Sequence, residues 1–368
     1  MTDSPVRYSS SVEKPIADEE KVHRELMDTM RSIEETTSKD YGHAVRSVHA
    51  KGHGVFEGEL VVDSGLPPEL AQGLFATPGR HRVVMRVSTQ PGDIMDDAVS
   101  AARGMAIKVF DVDGARLPDA EGENTQNFVF ASDPAFSAPN SEKFLGSLKQ
   151  LAGTTDKAEW AKKLLSATLR GVEDVLEAVG GQSAMVKAMG GVPITHPLGD
   201  NYYSQTAFRF GDYIAKFGLF PVSDNLTQLT GDRVNVTDRP DALREVVRET
   251  MIERGGVWEL RVQLCTDIDK MPVEDATVAW DEKASPYRTV ARITVAPQLS
   301  IGTDLQGATD ENSFFSPWHG LAAHQPLGSV NRARRQTYEM SAEFRGRFNG
   351  CPVHDAQALA NIAPPAAN

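Results

Sequence analysis

The chain has 368 residues, 40% of them hydrophobic and 24% charged, enough for one large domain or two modest ones in an ordinary soluble globular protein. A formal net charge of −13 excludes a sequence-wide attraction to nucleic acid or anionic lipid, and no apolar run approaches the roughly 20 residues that a membrane helix needs. Cys265 and Cys351 make neither a disulfide framework nor a metal-ligand spacing, and the N-terminus lacks the basic start and apolar core of a secretory signal, so the expectation is a cytoplasmic protein with reduced thiols.

The opening dozen residues are polar and expected to be loose. From about Asp18 to Thr36, Val22, Leu26, Met30 and Ile33 fall at helical spacing and predict an amphipathic helix or arm. The stretch RSVHAKGHGVFEGELVV, Arg46 to Val62, then places a guanidinium and an imidazole before two glycines, Gly52 and Gly54, at the mouth of an alternating strand. Between about His49 and Phe130 the segments GVFEGELVV, HRVVMRVST, RGMAIKVFD and NFVFAS are short, rich in Val and Phe, and bounded by turn residues. DVDG, Asp111 to Gly114, fits a hairpin reversal.

From about Ser141 to Met189 the pattern turns helical in three segments, SEKFLGSLKQL, KAEWAKKLLSATLRGVEDVLEAV and QSAMVKAM, with Ser141 as the expected N-cap of the first. Strands return in YYSQTAFRFGDYIAKFGLFPV and VWELRVQLCTD, with a helix around PDALREVVRETMIER between them. After YRTVARITVAPQ comes the aromatic loop NSFFSPWHG, and then a last helix from about Gly328 to Arg347. Strands in clusters and helices in blocks predict an α+β fold built on an antiparallel sheet or barrel, not a doubly wound sheet. The partition that follows is a 1–40 arm and amphipathic helix, a main domain over 41–350 with a helical insertion at about 141–190, and a 351–368 tail.

On a helix advancing about 100° per residue, Arg334, Tyr338 and Arg345 share one narrow stripe of SVNRARRQTYEMSAEFRGRF. The same stripe is what a solvated basic face with one partly buried tyrosine would show. Alternatively, an arginine one turn before a tyrosine favours its phenolate, a hard anionic ligand suited to ferric iron, as in the axial tyrosine of catalases.

The order of motifs resembles the haem catalase superfamily, in particular its small catalase-related peroxidase branch. The family's basic residue, two residues, then His-Ala-Lys-Gly stands here as Arg46-Ser47-Val48-His49-Ala50-Lys51-Gly52, followed by Gly54-Val55-Phe56. Arg-Phe-Ser-Thr appears as RVST, Arg86 to Thr89, and Arg-Gly-Phe-Ala-x-Lys as RGMAIK, Arg103 to Lys108. Arg-x-x-x-Tyr matches Arg334 to Tyr338, with the family's following arginine at Arg345. YYSQTAFRFGDYIAKF and SPWHGLAAHQPLGSVNRAR are also similar to the small branch. The likeness runs in order from about Arg46 to Arg347.

The resemblance implies a catalase-like antiparallel β-barrel with surrounding helices, holding haem b and its iron. It makes His49 the general acid–base above the haem, with Ser88 fixing its tautomer. Tyr338 becomes the iron ligand and Arg334 its partner. Arg46, Arg86 and Arg345 bind the propionates, and Val48 faces the haem or narrows the channel. Gly52 and Gly54 let the chain pass close to a flat cofactor.

The family's Gly-Asn-Asn-Thr-Pro-x-Phe-Phe block departs here, in GENTQNFVFASDPAFSAPN. Matching GENT puts Glu123 at the catalytic asparagine and Asn124 just after it; matching SDPAF puts Ala131 or Ser132 there and keeps Pro134 and Phe136 in place. Unless Asn124 or Asn127 swings in, the amide is missing, and its absence would weaken dioxygen release more than O–O cleavage. His49 and His53, four apart, would suit a metal pair only on a helix, which Gly52 and Gly54 exclude. Phe314, Phe315, Trp318 and His319 are expected to be core or channel lining, and His196 a loop histidine.

The implied activity is a haem peroxidase that reduces hydrogen peroxide or an organic hydroperoxide with a small electron donor, with room for a homo-oligomer. True catalase, a fatty-acid hydroperoxide isomerase or lyase, and a non-catalytic haem-binding protein are the competing readings. The electron donor, the preferred peroxide and any bound nicotinamide are not legible in the residues.

Overall fold

In the computed structural model the structure describes residues 4–152, 193–351, 353, 359 and 362. The alternating segments form the expected strands: β1 (Gly52–Val62), β2 (Arg80–Thr89), β3 (Arg103–Val109), β4 (Gln126–Ala131), β5 (Tyr202–Tyr203), β6 (Phe208–Phe210), β7 (Tyr213–Pro221), β8 (Gly256–Leu264) and β9 (Arg288–Val295). All the pairings are antiparallel. β1 lies between β2 and β9, and two-residue β5 bridges β4 and β7 through Tyr202 opposite Leu219 and Tyr203 opposite Gly218. The result is an eight-stranded closed barrel, with β6 added outside the ring on β7. Closure removes the free edges that would otherwise invite pairing with another chain.

The barrel is filled by one side of each alternating strand. Phe56 and Leu60 of β1, Met85 and Val87 of β2, Met105 and Ile107 of β3, and Phe128 and Phe130 of β4 join Phe217 and Trp258 in one buried cluster. Phe56 and Trp258 stack with ring centroids 6.0 Å apart. The other side of β2–β4 carries Arg86, Ser88, Gly104, Ala106, Val129 and Ala131, and these face a cavity. Period-two alternation thus divides the strands between a greasy filling and a small-residue floor.

The helices cover this floor. α1 (Glu19–Tyr41), α2 (Ser141–Ala152), α3 (Ala242–Glu253), α4 (Asp304–Asn312) and α5 (Ser329–Phe348) are the longer ones among the described residues. Leu26, Met30 and Ile33 of α1 pack with Leu145 and Leu148 of α2 and with Ala333 and Met340 of α5. Arg332 at the start of α5 binds Glu13, and also Glu19 and Glu274 at 2.9 Å each, which ties the N-terminal arm to the last helix. None of the described helices is long and apolar enough to cross a membrane.

Three expectations change in detail. α1 continues past Thr36 to Tyr41, where Gly42 adopts a left-handed φ of 64° and ends it. Asn140, not Ser141, caps α2, its Oδ1 accepting from the Lys143 N–H at 3.0 Å, while the Ser141 hydroxyl lies 2.7 Å from that of Ser329. DVDG does not close a tight hairpin; the link from β3 to β4 occupies residues 110–125 and includes a 3₁₀ turn at Pro118–Ala120. The second and third expected helices of the insertion lie outside the described residues.

Candidate active site

A cavity of about 470 Å³ lies between the floor of β2–β4 and the helices α1, α2 and α5, within the usual size of small-molecule sites. It gathers Arg46, Val48, His49, Arg86, Ser88, Arg334, Tyr338 and Arg345 into one wall. Residues separated by nearly three hundred positions in sequence therefore meet at one place.

His49 stands just ahead of β1 with a left-handed φ of 56°, a conformation in which histidine is several-fold enriched among non-glycine residues. Its N–H donates to Gln90 O at 2.7 Å, and its carbonyl accepts from Arg86 Nη1 at 3.0 Å. Ring nitrogen Nδ1 lies 3.1 Å from Ser88 Oγ. Gly104 lies against the imidazole; a Cβ there would stand 2.7 Å from Nδ1 and closer still to Cε1. Burial, followed by the charges of Arg86, Arg334 and Arg46, pushes the imidazole down to about 3, so it is neutral near pH 7.

Behind His49 the two glycines abut other side chains: a Cβ on Gly52 would stand 3.2 Å from Arg86 Nη2, and one on Gly54 2.9 Å from Val247 Cγ1. Gly52 pairs with Ser88 but Gly54 with Val87, so His53 is the extra residue of a bulge. The His53 Nε2 lies 3.4 Å from Thr89 Oγ1, and His53 is not part of the cavity wall. Lys51 is buried and anchors the turn: its Nζ donates to Met95 O at 2.8 Å and Pro240 O at 2.6 Å and pairs with Asp97 at 2.8 Å.

The three arginines converge on the C-terminal end of α4. Asp310 Oδ1 accepts from Arg86 Nε at 2.8 Å and Arg46 Nη1 at 3.2 Å, and its carbonyl accepts from Arg345 Nη1 at 2.9 Å. Thr309 O and Ser313 O take further bonds from Arg46 at 2.6 and 3.1 Å. The negative end of the helix dipole complements them. Burial would raise Asp310, but Arg86 and Arg46 hold it below the usual carboxylate range. Arg46 is itself held well below its ordinary value by burial and by Arg86 and Arg345. Arg345 Nε is buried with no hydrogen-bond partner. Among the described residues Asp310 supplies the one carboxylate hydrogen-bonded to any of these three buried guanidiniums, with Glu34 and Glu311 acting on them only through space, so positive charge is left in excess among the bonded groups and fits a ligand carrying carboxylates.

Along α5, Arg334, Tyr338 and Arg345 all face the cavity, as their stripe predicts. Arg334 does not hydrogen-bond Tyr338 among the described residues. Its Nη1 donates to Asn331 Oδ1 at 3.0 Å and Thr206 Oγ1 at 3.3 Å, and its guanidinium lies 5.8 Å from the Phe136 ring. One turn of helix makes the two residues neighbours on the wall, while buried polar groups on other segments set where the arginine's donors point.

Asn124 is not in the site. It is exposed and donates to Asp111 Oδ1 at 3.0 Å, because Ala131, not residue 124, pairs with Gly104 at the cavity end of β4. Asn127 is buried and accepts from Lys108 Nζ at 3.1 Å, and it too is absent from the wall. The SDPAF register fits better: Ala131, Pro134 and Phe136 all line the cavity. Two amides that sequence reasoning missed do face it, Gln90 and Gln205. Gln205 has a left-handed φ of 61° and donates from Nε2 to Ala135 O at 2.7 Å; its place in the YYSQTAFRF block was the one available hint. Phe314 and Phe315 line the cavity as expected. Trp318 bonds Asn331 O at 2.8 Å, and His319 lies 3.1 Å from Glu123. His196 caps a short turn by accepting from the Leu198 N–H at 3.2 Å.

Comparison with known proteins places the same segments in context. No protein-family model matches the chain. A catalase of Neisseria gonorrhoeae is 26% identical over 334 residues, covering 85% of this chain and 62% of that protein. Among solved structures, a fungal catalase superposes with a TM-score of 0.58 at 19% identity, covering 86% of this chain and 62% of the other. Catalase A from Saccharomyces cerevisiae superposes with a TM-score of 0.59 at 18% identity, covering 86% and 64%. The chain thus spans less than two thirds of the length of these relatives.

Proposed function

We propose that this chain belongs to the catalase superfamily, as its likeness to the catalase of Neisseria gonorrhoeae suggests, and that it is a haem-dependent peroxidase of the small catalase-related branch, reducing hydrogen peroxide or organic hydroperoxides with a small electron donor. The observation that carries the reading is the joint presence of His49, Tyr338 and a charge-surplus arginine cluster on the wall of one cavity.

Haem fits the residues present: the surplus guanidinium charge and the partnerless Arg345 Nε suit its two propionates, and the phenol of Tyr338 suits ferric iron. Arg46, Arg86 and Arg345 would hold the carboxylates, Tyr338 the iron, and Val48 one face. A haem held there would supply the redox chemistry needed to cleave a peroxide O–O bond. The protein supplies the proton traffic. With Nδ1–H donating to Ser88, the lone pair of His49 sits on Nε2, free to take a proton from peroxide and return it to the departing oxygen. Its burial and the three nearby guanidiniums keep it neutral, the state a base requires.

No asparagine lines the cavity among the described residues, which favours peroxidase over true catalase turnover. The apolar wall of Leu26, Met30, Phe144 and Val330 favours hydroperoxides bulkier than hydrogen peroxide and keeps a fatty-acid hydroperoxide isomerase as the second reading. The haem domain would span 41–350 in a cytoplasmic protein, with α1 of the N-terminal arm lending Leu26 and Met30 to its wall. Purified protein should show a tyrosinate-type ferric haem spectrum, oxidise donors with peroxide and evolve little dioxygen. Vigorous dioxygen evolution without donor oxidation would reverse the assignment.

A further inference from the structure

On the side of α5 facing α1, between Tyr338 and Arg345, lies a carboxylate that the chemistry above does not use. Glu34 is fully buried. One of its oxygens accepts from the Ser341 hydroxyl, and Ser341 in turn accepts from the Ser47 N–H at 3.4 Å. Its other oxygen, Oε2, is buried without a partner. The neighbouring Arg345 Nε is likewise buried and partnerless. A buried acceptor and a buried donor of opposite charge therefore stand unmatched in one cluster, each a costly state that a ligand or a proton would relieve.

We propose that Glu34 is the titrating counter-charge of the arginine cluster, so that binding of a dicarboxylate porphyrin at Arg345 is coupled to proton uptake by Glu34. This rests on reading the cavity as a haem site. With no ligand, an ionised Glu34 faces Arg345 and offsets part of the surplus charge. A ligand carboxylate at Arg345 replaces that service, and Glu34, deprived of its cation, takes a proton.

The surroundings set the sign. Burial pushes Glu34 up to about 7, opposed by the Ser341 hydroxyl, the Arg345 charge, the Ser47 N–H and Arg31 on its own helix. Arg345 also feels Arg86, Glu311 and Asp310. From α2, the side chains packed on α1 are the apolar Leu145 and Leu148, and the Lys149–Glu25 pair lies about two and a half helical turns from Glu34. Neutralising Arg345 removes one of the charges that hold Glu34 down, so its pKa rises on binding. The complex then carries more protons than the free protein, and affinity must fall as pH rises through about 7.

Metal-free protoporphyrin IX tests this by fluorescence titration, since it keeps both carboxylates and needs no iron ligand. Affinity of the wild type should fall about tenfold between about pH 6 and pH 8, close to the limit for one proton. Glu34→Gln should bind at pH 8 as tightly as the wild type does at pH 6, with little slope. The dimethyl ester should bind without pH dependence. Equal slopes in the wild type and Glu34→Gln, or no slope in the wild type, overturn the proposal and leave the porphyrin site standing. No porphyrin binding at any pH sinks the haem reading itself. Uptake measured with an indicator dye in weakly buffered wild-type protein at pH 7 needs no variant: a sizeable fraction of a proton per porphyrin supports the coupling, and none refutes it.

Discussion

The imidazole of His49 lies against the backbone of Gly104, with no room between them for a methyl group. Ser88, paired directly with Gly104 across β2 and β3, holds the same ring through Nδ1. Position and orientation of one side chain are thus set by two residues facing each other on adjacent strands, each drawn from a different sequence block.

Gly104→Ala should leave the barrel folded and the cofactor bound while tilting His49 away from Ser88. A misplacement of about 1 Å costs on the order of 10²-fold in rate. Stopped-flow mixing with peroxide reads the loss; an unchanged rate would show that the close contact does not position the ring.

His49→Gln removes the base but keeps an amide in its place, and the peroxide reaction should slow by about 10²- to 10⁴-fold. In the wild type, a folded-state value of about 3 means that the imidazole is neutral over the whole ordinary range. The rate of the peroxide reaction should therefore be flat from about pH 5 to pH 8 and fall only as acid protonates the ring. A midpoint near 6.5 would mean that His49 is solvated.

Tyr338→Phe deletes one oxygen and leaves the rest of α5 unchanged. The expected result is loss of haem, or a ferric spectrum without its tyrosinate character, with little change in the urea unfolding of haem-free protein. A wild-type spectrum in this variant would remove Tyr338 from the iron.

Asp310→Asn strips the arginine cluster of the carboxylate shared by Arg46 and Arg86. Breaking such a pair by removing one partner costs about 3–5 kcal/mol when the charge left behind is buried. Urea unfolding of the haem-free variant should show a loss approaching that size, partly recovered by a bound dicarboxylate porphyrin. An unaltered midpoint would mean that the α4 carbonyls alone satisfy the guanidiniums.

Much of this site was legible in advance because its residues sit in short blocks whose local geometry is self-contained. His49 precedes a bulge that Gly52 and Gly54 permit, Ser88 and Arg86 share one side of a strand, and Arg334, Tyr338 and Arg345 share one side of a helix. Asn124 went astray for the opposite reason. Its place depends on how far β4 slides along β3, which is settled by non-local pairing that no window of sequence encodes. Asp310, Glu34, Thr206 and Asn331 were invisible because an acid, a hydroxyl or an amide acquires meaning only when another segment brings an arginine to it. The helix ends shifted by a few residues, as ends do where a cap decides.

The two-sided character of β3 and β4 has a practical corollary. Ala106, Val129 and Ala131 can be enlarged or trimmed to change what the chamber admits, since Ile107 and Phe128, which help hold the cylinder together, are not on the chamber's wall, while Met105 and Phe130 border both. Selectivity and robustness occupy alternate letters of the same ribbon, so a new substrate preference can be bred into this scaffold one letter at a time without loosening it.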